Sequence, residues 1–289
     1  MGFEYVEPRS VEEAAAILRR AGPDACLIAG GTELMLRVRL GQVRPKLVVG
    51  IGRLPELTGI ARTDEGGLSL GAAVTLRAIA GSPDVRMLAP LLAEVCAQTR
   101  SPQFRTLATV GGTLCGASPL AEVPLALVAL DADVEIAGAA GGHRLAVSDF
   151  VTGPGRTALQ VGEIVTGVFV GPRATGTHTA YERLSRRGAI EPPLVASAVA
   201  LTLDAERVCR SCRVVLGVAT PTPVRLSQSE EMLLGRKLSI ERTRAAAQVA
   251  RAVDVHDDVR ATRPYLQRMA GIVVGRALAR ATKAASSRG

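Results

Sequence analysis

The sequence predicts two domains: an N-terminal part in which short strands alternate with helices, then a C-terminal α+β domain. Three observations carry this. A chain of 289 residues is too long for one average domain and too short for three. Through the first half, short apolar runs alternate with helix-like stretches and paired glycines fall between them. Beyond residue 175, three strand-like runs precede three helical ones, an order typical of α+β domains.

Element by element, Ser10 followed by Glu13 makes a capping box, and Val11, Ala14, Ala15 and Leu18 form the apolar face of the helix behind it. Gly22 ends that helix. Ala25 to Ala29 reads as a short strand broken by Gly30-Gly31-Thr32, and Glu33 to Leu40 as a helix stopped by Gly41. Leu47 to Ile51 and Leu68 to Gly71 read as strands, Leu88 to Thr99 as a helix, and Leu107 to Val110 as a strand broken by Gly111-Gly112. Ser118-Pro119 predicts a helix start, serine as N-cap and proline at the first helical position, with Val123 to Leu130 as the apolar body. Val134 to Ile136 and His143 to Ala146 make a hairpin around Gly138 to Gly142. Gly171-Pro172 and the run from Thr175 to Thr179 read as a linker. After it come strands at Thr179 to Leu184, Val195 to Leu203 and Cys209 to Val218, then helices at Ser227 to Leu234, Ser239 to Val253 and Thr262 to Thr282. Ser286 to Gly289 should fray.

Composition narrows the function. Hydrophobic residues at 47% and charged ones at 21% suit a globular chain with a real core. Aromatics are only 2% and tryptophan is absent, which argues against a single-strand nucleic-acid platform built on stacking. The net charge of +8 comes from scattered arginines, so it reads as a compositional bias rather than a nucleic-acid surface. Five cysteines, with a polar N-terminal stretch through Glu4, Glu7 and Arg9, suggest a cytoplasmic chain with reduced thiols. Cys209-x-x-Cys212 has metal-like spacing but lacks a second pair. It also lies in an apparent strand, where positions three apart face opposite sides, so core thiols are expected rather than a metal site.

His143, His178 and His256 lie in exposed, polar settings and join no nucleophile, so hydrolase triads and zinc hydrolase sites lose support. What remains is glycine at loop tips. Gly30-Gly31 and Gly111-Gly112 each follow a short apolar run, and paired glycines let backbone N–H groups approach an anion. Thr32 adds a hydroxyl. A dinucleotide pyrophosphate suits such loops, although a tight turn alone would also use each pair. Gly153-Pro154-Gly155-x-x-Ala158 fits a Rossmann fingerprint by letters only: its proline removes an amide the phosphate needs, and no buried parallel strand precedes it.

Ala29-Gly30-Gly31-Thr32-Glu33-Leu34, then Ala108-Thr109-Val110-Gly111-Gly112, then Ser118-Pro119-Leu120-Ala121-Glu122-Val123-Pro124 resemble the medium, FAD-binding subunit of the molybdenum hydroxylases. That family includes the flavoproteins of xanthine dehydrogenase and aerobic carbon monoxide dehydrogenase. The resemblance continues almost end to end, through Phe3-Glu4-Tyr5, Leu54 to Ile60, Arg186-Arg187, Leu216 to Arg225, and Tyr265-Leu266 to Leu278. It implies an α+β fold: two α/β subdomains of the vanillyl-alcohol-oxidase type, at 1–55 and 56–175, hold FAD between them. A C-terminal flavoprotein domain at 176–289, a three-stranded antiparallel sheet with helices, completes it.

Carried over residue by residue, the resemblance has Ala29, Gly30, Gly31, Thr32, Glu33 and Leu34 wrap the pyrophosphate from one side, and Thr109, Gly111 and Gly112 from the other. Thr113 and Glu122 would flank the same site, Glu122 standing where the family has an aspartate that contacts the adenosine part. The isoalloxazine would lie near Ile190 to Leu194. Thr113 and Thr106 replace family asparagines, Gly50 an aspartate, and Arg39 a lysine. Thr113 lacks an amide fork that donates and accepts at once, so FAD binding is expected to be weakened but retained. The implied function is electron transfer from an iron–sulfur small subunit, fed by a molybdenum-cofactor large subunit, through FAD to NAD, a quinone or oxygen. No side chain of this chain is expected to act as a catalytic acid or base. A dimer of heterotrimers is implied, and the alternative is a flavin-free structural or assembly subunit of the same fold. The cysteines show no grouping that would hold a cluster in this chain itself.

Overall fold

In the computed structural model, which describes residues 2–138, 141–187 and 190–284, the chain begins with a small parallel sheet. β1 (Glu4–Val6), β2 (Ala25–Ile28) and β3 (Leu47–Gly50) pair in the order β1-β3-β2. Between β1 and β2 runs α1 (Val11–Ala21), capped at Ser10, whose Oγ accepts the Glu13 amide at 3.1 Å. The Glu13 carboxylate accepts the Arg9 amide, one residue earlier than in the predicted box. Gly22, at φ 59°, ends the helix. β2 leads through residues 29–33 into α2 (Leu34–Arg39).

β4 (Ile60–Arg62) and β5 (Leu68–Gly71) begin a second sheet. Six helices follow: α3 (Leu76–Gly81), α4 (Pro83–Leu88), α5 (Pro90–Gln98), α6 (Pro102–Leu107), α7 (Val110–Gly116) and α8 (Val123–Ala129). The hairpin β6 (Asp133–Gly138) and β7 (Gly141–Ala146), α9 (Val147–Phe150), the small hairpin β8 (Val151–Gly153) and β9 (Arg156–Thr157), and β10 (Ile164–Val170) complete this part. The antiparallel order is β4-β5-β10-β6-β7, and the tip of the β6–β7 hairpin, residues 139–140, lies outside the described residues.

Three expectations need correction here. The helix predicted at Leu88 to Thr99 starts at Pro90, and the residues before it form a separate α4, because a proline cannot continue a helix from within. Leu107 to Val110 is no strand: α6 ends there and α7 begins, and only an isolated bridge between Thr75 and Thr109 is extended. Ser101 caps α6, and Thr109 caps α7 by accepting the Gly112 amide at 3.1 Å, so the apolar run spans a helix end and a helix start. Gly111-Gly112 therefore occupy the first turn of a helix. Finally, Ser118-Pro119 makes a turn, and α8 starts after Glu122, whose side chain points inward and caps nothing.

The C-terminal part contains β11 (Thr177–Leu184), β12 (Val195–Leu203), β13 (Cys209–Gly217) and a short fourth strand absent from the sequence reading, β14 (Val224–Arg225). They form an antiparallel sheet in that order, followed by α10 (Ser227–Leu233), α11 (Ile240–Gln248) and α12 (Arg263–Ala284). Both faces of this sheet are covered. Val195, Val199, Leu201 and Leu203 of β12 join the core under α10 to α12, while Ala196 and Ala198 join the core built on α3 to α8. That alternation is the period of two expected of a strand buried on both sides. A bulge where Thr202 pairs with Ser211 and Leu203 with Cys209 shifts β13 by one residue. It turns Cys209 and Cys212 onto the same buried face, against the expectation of opposite faces. No helix among the described residues is long and apolar enough to cross a membrane.

Candidate cofactor site

The loop joining β2 to α2 needs both of its glycines, for different reasons. Gly31 sits at φ 70°, a left-handed conformation that side chains disfavour. A Cβ on Gly30 would lie 1.7 Å from the Leu107 carbonyl oxygen, so Gly30 lets the end of α6 come up against the loop. The backbone N–H groups of Gly31, Thr32 and Glu33 make no hydrogen bond to any described residue. Three donors of one tight loop are thus left for something other than the fold.

These residues form one wall of a cavity of about 350 Å³. Ala29, Gly30, Gly31, Thr32, Glu33 and Leu34 face Thr109, Gly111 and Gly112 across it, and Arg37, Cys26 and Cys115 are also among the lining. The facing wall contributes differently. In α7 the amides of Val110 and Gly111 are taken by the carbonyls of Val74 and Ala72 at 3.0 and 2.9 Å, and the Thr113 amide by Thr109. With Gly112 bonded to the Thr109 hydroxyl, the helix start has no donor to spare. Its glycines supply room. A Cβ on Gly111 would meet Ala72 at 2.7 Å, which packs α7 onto the residues after β5.

A second cavity of about 120 Å³ adjoins the first, sharing Thr32, Glu33, Gly112 and Gly116. Arg100, Phe104, Thr113 and Glu122 line it. Arg100, at φ 51°, carries its guanidinium 5.8 Å from the centre of the Phe104 ring, and Arg105 holds the turn by donating to the carbonyls of Thr99 and Arg100. Burial lowers the Arg100 pKa, with Glu122 acting in the opposite direction. The Thr113 hydroxyl donates to the Thr109 carbonyl at 2.9 Å.

Glu122 is fully buried. Its Oε1 accepts the Tyr181 hydroxyl and pairs with the Arg183 guanidinium at 2.9 Å, while Oε2 has no partner. Burial raises its pKa from the ordinary carboxylate value, and Arg183 and Tyr181 oppose that rise. Arg183 also donates to the carbonyls of Gln98 and Glu191, at 2.9 and 2.6 Å. One carboxylate therefore ties α8 to β11, and through Arg183 to the end of α5 and the loop after β11.

All six residues from Ala29 to Leu34, with Thr109, Gly111, Gly112, Thr113 and Glu122, line one of the two cavities, while Ala108 and Val110 of the second motif are buried in the core. Ile190 and Leu194 line neither: Ile190 is exposed, and Leu194 is buried in the core beneath β12. Gly188 and Ala189 between the preceding loop and Ile190 lie outside the described residues. The sequence reading missed Arg37, Arg100, Tyr181 and Arg183. Tyr181 left a trace, since a phenol at the middle of a strand must find a polar partner once it is buried. The arginines left none, being few among many.

The family model for the FAD binding domain in molybdopterin dehydrogenase matches residues 1–173, and that for the CO dehydrogenase flavoprotein C-terminal domain matches residues 179–281. The chain belongs to this family, the FAD-binding medium subunits of the molybdenum hydroxylases; it is an oxidoreductase subunit, and its cofactor is FAD. Among its relatives, the carbon monoxide dehydrogenase medium chain of Hydrogenophaga pseudoflava is 33% identical over 277 residues, covering 96% of each chain. The 6-hydroxypseudooxynicotine dehydrogenase complex subunit alpha of Paenarthrobacter nicotinovorans is 30% identical, over 96% of this chain and 94% of that one. A solved structure of the carbon monoxide dehydrogenase from Hydrogenophaga pseudoflava superposes with a TM-score of 0.94 at 32% identity, over 99% of this chain and 98% of that one.

Proposed function

We propose that this chain is the electron-transfer subunit of a cytoplasmic molybdenum hydroxylase complex, with FAD bound between its two N-terminal subdomains. The observation that carries the placement is the set of three uncommitted N–H donors on the Gly30-Gly31 loop, opening into a cavity of about 350 Å³. A pyrophosphate needs such donors, and the flanking Arg37 and Arg100 supply positive charge for it. When bound, FAD would accept electrons from an iron–sulfur subunit and pass them to an external acceptor. The chain's own residues hold and orient. Gly31, Thr32 and Glu33 present their amides, Gly111 and Gly112 keep the opposite wall bare, and the apolar lining from Leu27, Ile28 and Ile164 keeps water out. The unpartnered Oε2 of Glu122 gives the second cavity an acceptor suited to a ribose hydroxyl.

The partners in this reading are an iron–sulfur small subunit and a molybdenum-cofactor large subunit, assembled as a dimer of heterotrimers. The support is that relatives covering nearly the whole chain are named as medium chains or subunits of dehydrogenase complexes. The test is to purify the tagged protein from its own cells and measure native mass, flavin, iron and molybdenum. About one flavin per chain with both metals in a larger assembly is expected. A monomer with tightly bound FAD and neither metal would overturn the complex. The position of the cofactor is checked separately on apoprotein: added FAD should protect Cys115, which lines the cavity, from alkylation.

A further inference from the structure

Glu122 uses its two oxygens unequally. Oε1 accepts the Tyr181 hydroxyl and pairs with Arg183 at 2.9 Å. Oε2 is buried in a residue that lines the second cavity, and it has no partner among the described residues. A bare oxygen out of reach of water is a costly place for negative charge, and a proton on it removes that cost. Burial accordingly raises the Glu122 pKa, against Arg183, Tyr181 and Arg100. The apoprotein therefore keeps this proton to higher pH than an ordinary carboxyl would.

The groups packed around Glu122 do not take over this role. Tyr181, from β11, is raised by burial and by Glu122 itself, with Glu94 acting in the same direction. Cys96, on α5, is likewise raised by burial and by Glu122. Both stay protonated through the neutral range. Arg183, from β11, and Arg100, just beyond α5, favour the ionised carboxylate, while Glu33 on the glycine loop lines the same cavity and acts on Arg100. A ligand hydroxyl that donates to Oε2 supplies the hydrogen bond it lacks. Glu122 then accepts from Tyr181, Arg183 and that hydroxyl, and a carboxylate with so many donors ionises at lower pH. The negative pyrophosphate works against this, and Arg37 and Arg100, which line the two cavities, offset it.

We propose that FAD uptake displaces the Oε2 proton of Glu122 to solvent, so that the cofactor is held more tightly as pH rises. The proposal rests on the placement of FAD given above. The window lies between the pKa of Glu122 in the complex and its higher value in the apoprotein: affinity climbs across it and levels off above it. The test titrates FAD into full-length apoprotein by calorimetry from about pH 5 to 8, in paired buffers of different ionisation enthalpy, which counts protons directly. Release of about 0.3–1 proton per FAD is expected at the acid end, falling toward zero at the alkaline end, with Kd tightening by at most about tenfold per pH unit. Glu122→Gln cannot titrate, so it should bind FAD with a flat Kd and without that release. Tyr181→Phe removes one donor from Oε1, and it should move the release to higher pH. Wild-type binding with no proton exchange or with proton uptake, a release that Glu122→Gln keeps, or a profile unmoved in Tyr181→Phe would overturn the inference and leave the site reading standing. If FAD does not bind, or binds without protecting Cys115 from alkylation, the site reading has failed and this inference falls with it.

Discussion

Glu122 is a buried carboxylate with one oxygen doubly engaged and the other without a partner. Losing the pair altogether would leave Arg183 facing a void in which it is only 15% exposed. We expect Glu122→Ala to lower stability by about 3–5 kcal/mol, and Glu122→Gln, which keeps an acceptor for Tyr181, by less than about 2 kcal/mol. The pH dependence has a definite sign. Because the folded pKa is raised, the folded chain holds this proton to higher pH than the unfolded one. The contribution is therefore complete below the ordinary carboxylate range and falls as pH rises through the folded pKa. Urea melts between pH 4 and 8 should show that decline in the wild type, and its absence in Glu122→Gln would confirm the assignment; parallel curves would refute it. On the flavin side, Gly31→Val forces a side chain into φ 70° and disturbs the free amides, and FAD should bind about tenfold more weakly or worse by calorimetry. Gly111→Val is a poorer probe, because its Cβ meets Ala72 and the fold itself would suffer.

Among the elements, α7 shows best why part of the site was legible and part was not. The motif around Gly111-Gly112 was visible, but its setting was misread, because four apolar or small residues in a row fit a strand as well as the junction of two helices. What decides is the pair of caps, Ser101 for α6 and Thr109 for α7, each three residues before the amide it accepts. Those spacings were present in the sequence, overshadowed by the apolar run. β12 and β13 were easier, since each is a nine-residue run bearing several β-branched and apolar residues, whereas β14 spans only two residues and carries no pattern of its own. The bulge at Arg210 was beyond reach, because nothing local announces a one-residue slip. Thr109 thus does two jobs: it caps α7 and lines the first cavity. Thr109→Ala should lower the unfolding free energy by about 1 kcal/mol, and Thr109→Ser should restore most of it, both read from denaturant midpoints. An alanine variant as stable as the wild type would show that the cap is idle.

Across the whole molecule, the C-terminal sheet that follows residue 175 has a core of its own under α10 to α12 and also closes the core built on α3 to α8. Tyr181, Ala196, Ala198, Val215 and Val218 of the C-terminal sheet belong to the same apolar cluster as the helices α3 to α8. Polar links reinforce the join: Arg280 on α12 donates to the Tyr181 carbonyl at 2.8 Å and pairs with Glu94 of α5, and Arg213 on β13 pairs with Asp131 at 2.8 Å. Such exposed pairs contribute about 0–1 kcal/mol each, so the shared apolar face dominates. Two parts that bury the same surface against each other cannot unfold one at a time without exposing it. We therefore expect one cooperative transition in urea, with far-ultraviolet circular dichroism and the fluorescence of the three tyrosines giving the same midpoint. Arg280→Ala should move that single midpoint slightly without splitting it. Two separated transitions, or a stable and monomeric fragment of residues 176–284 that binds no hydrophobic dye, would show that the C-terminal sheet does not depend on α5 and α8 for one of its faces.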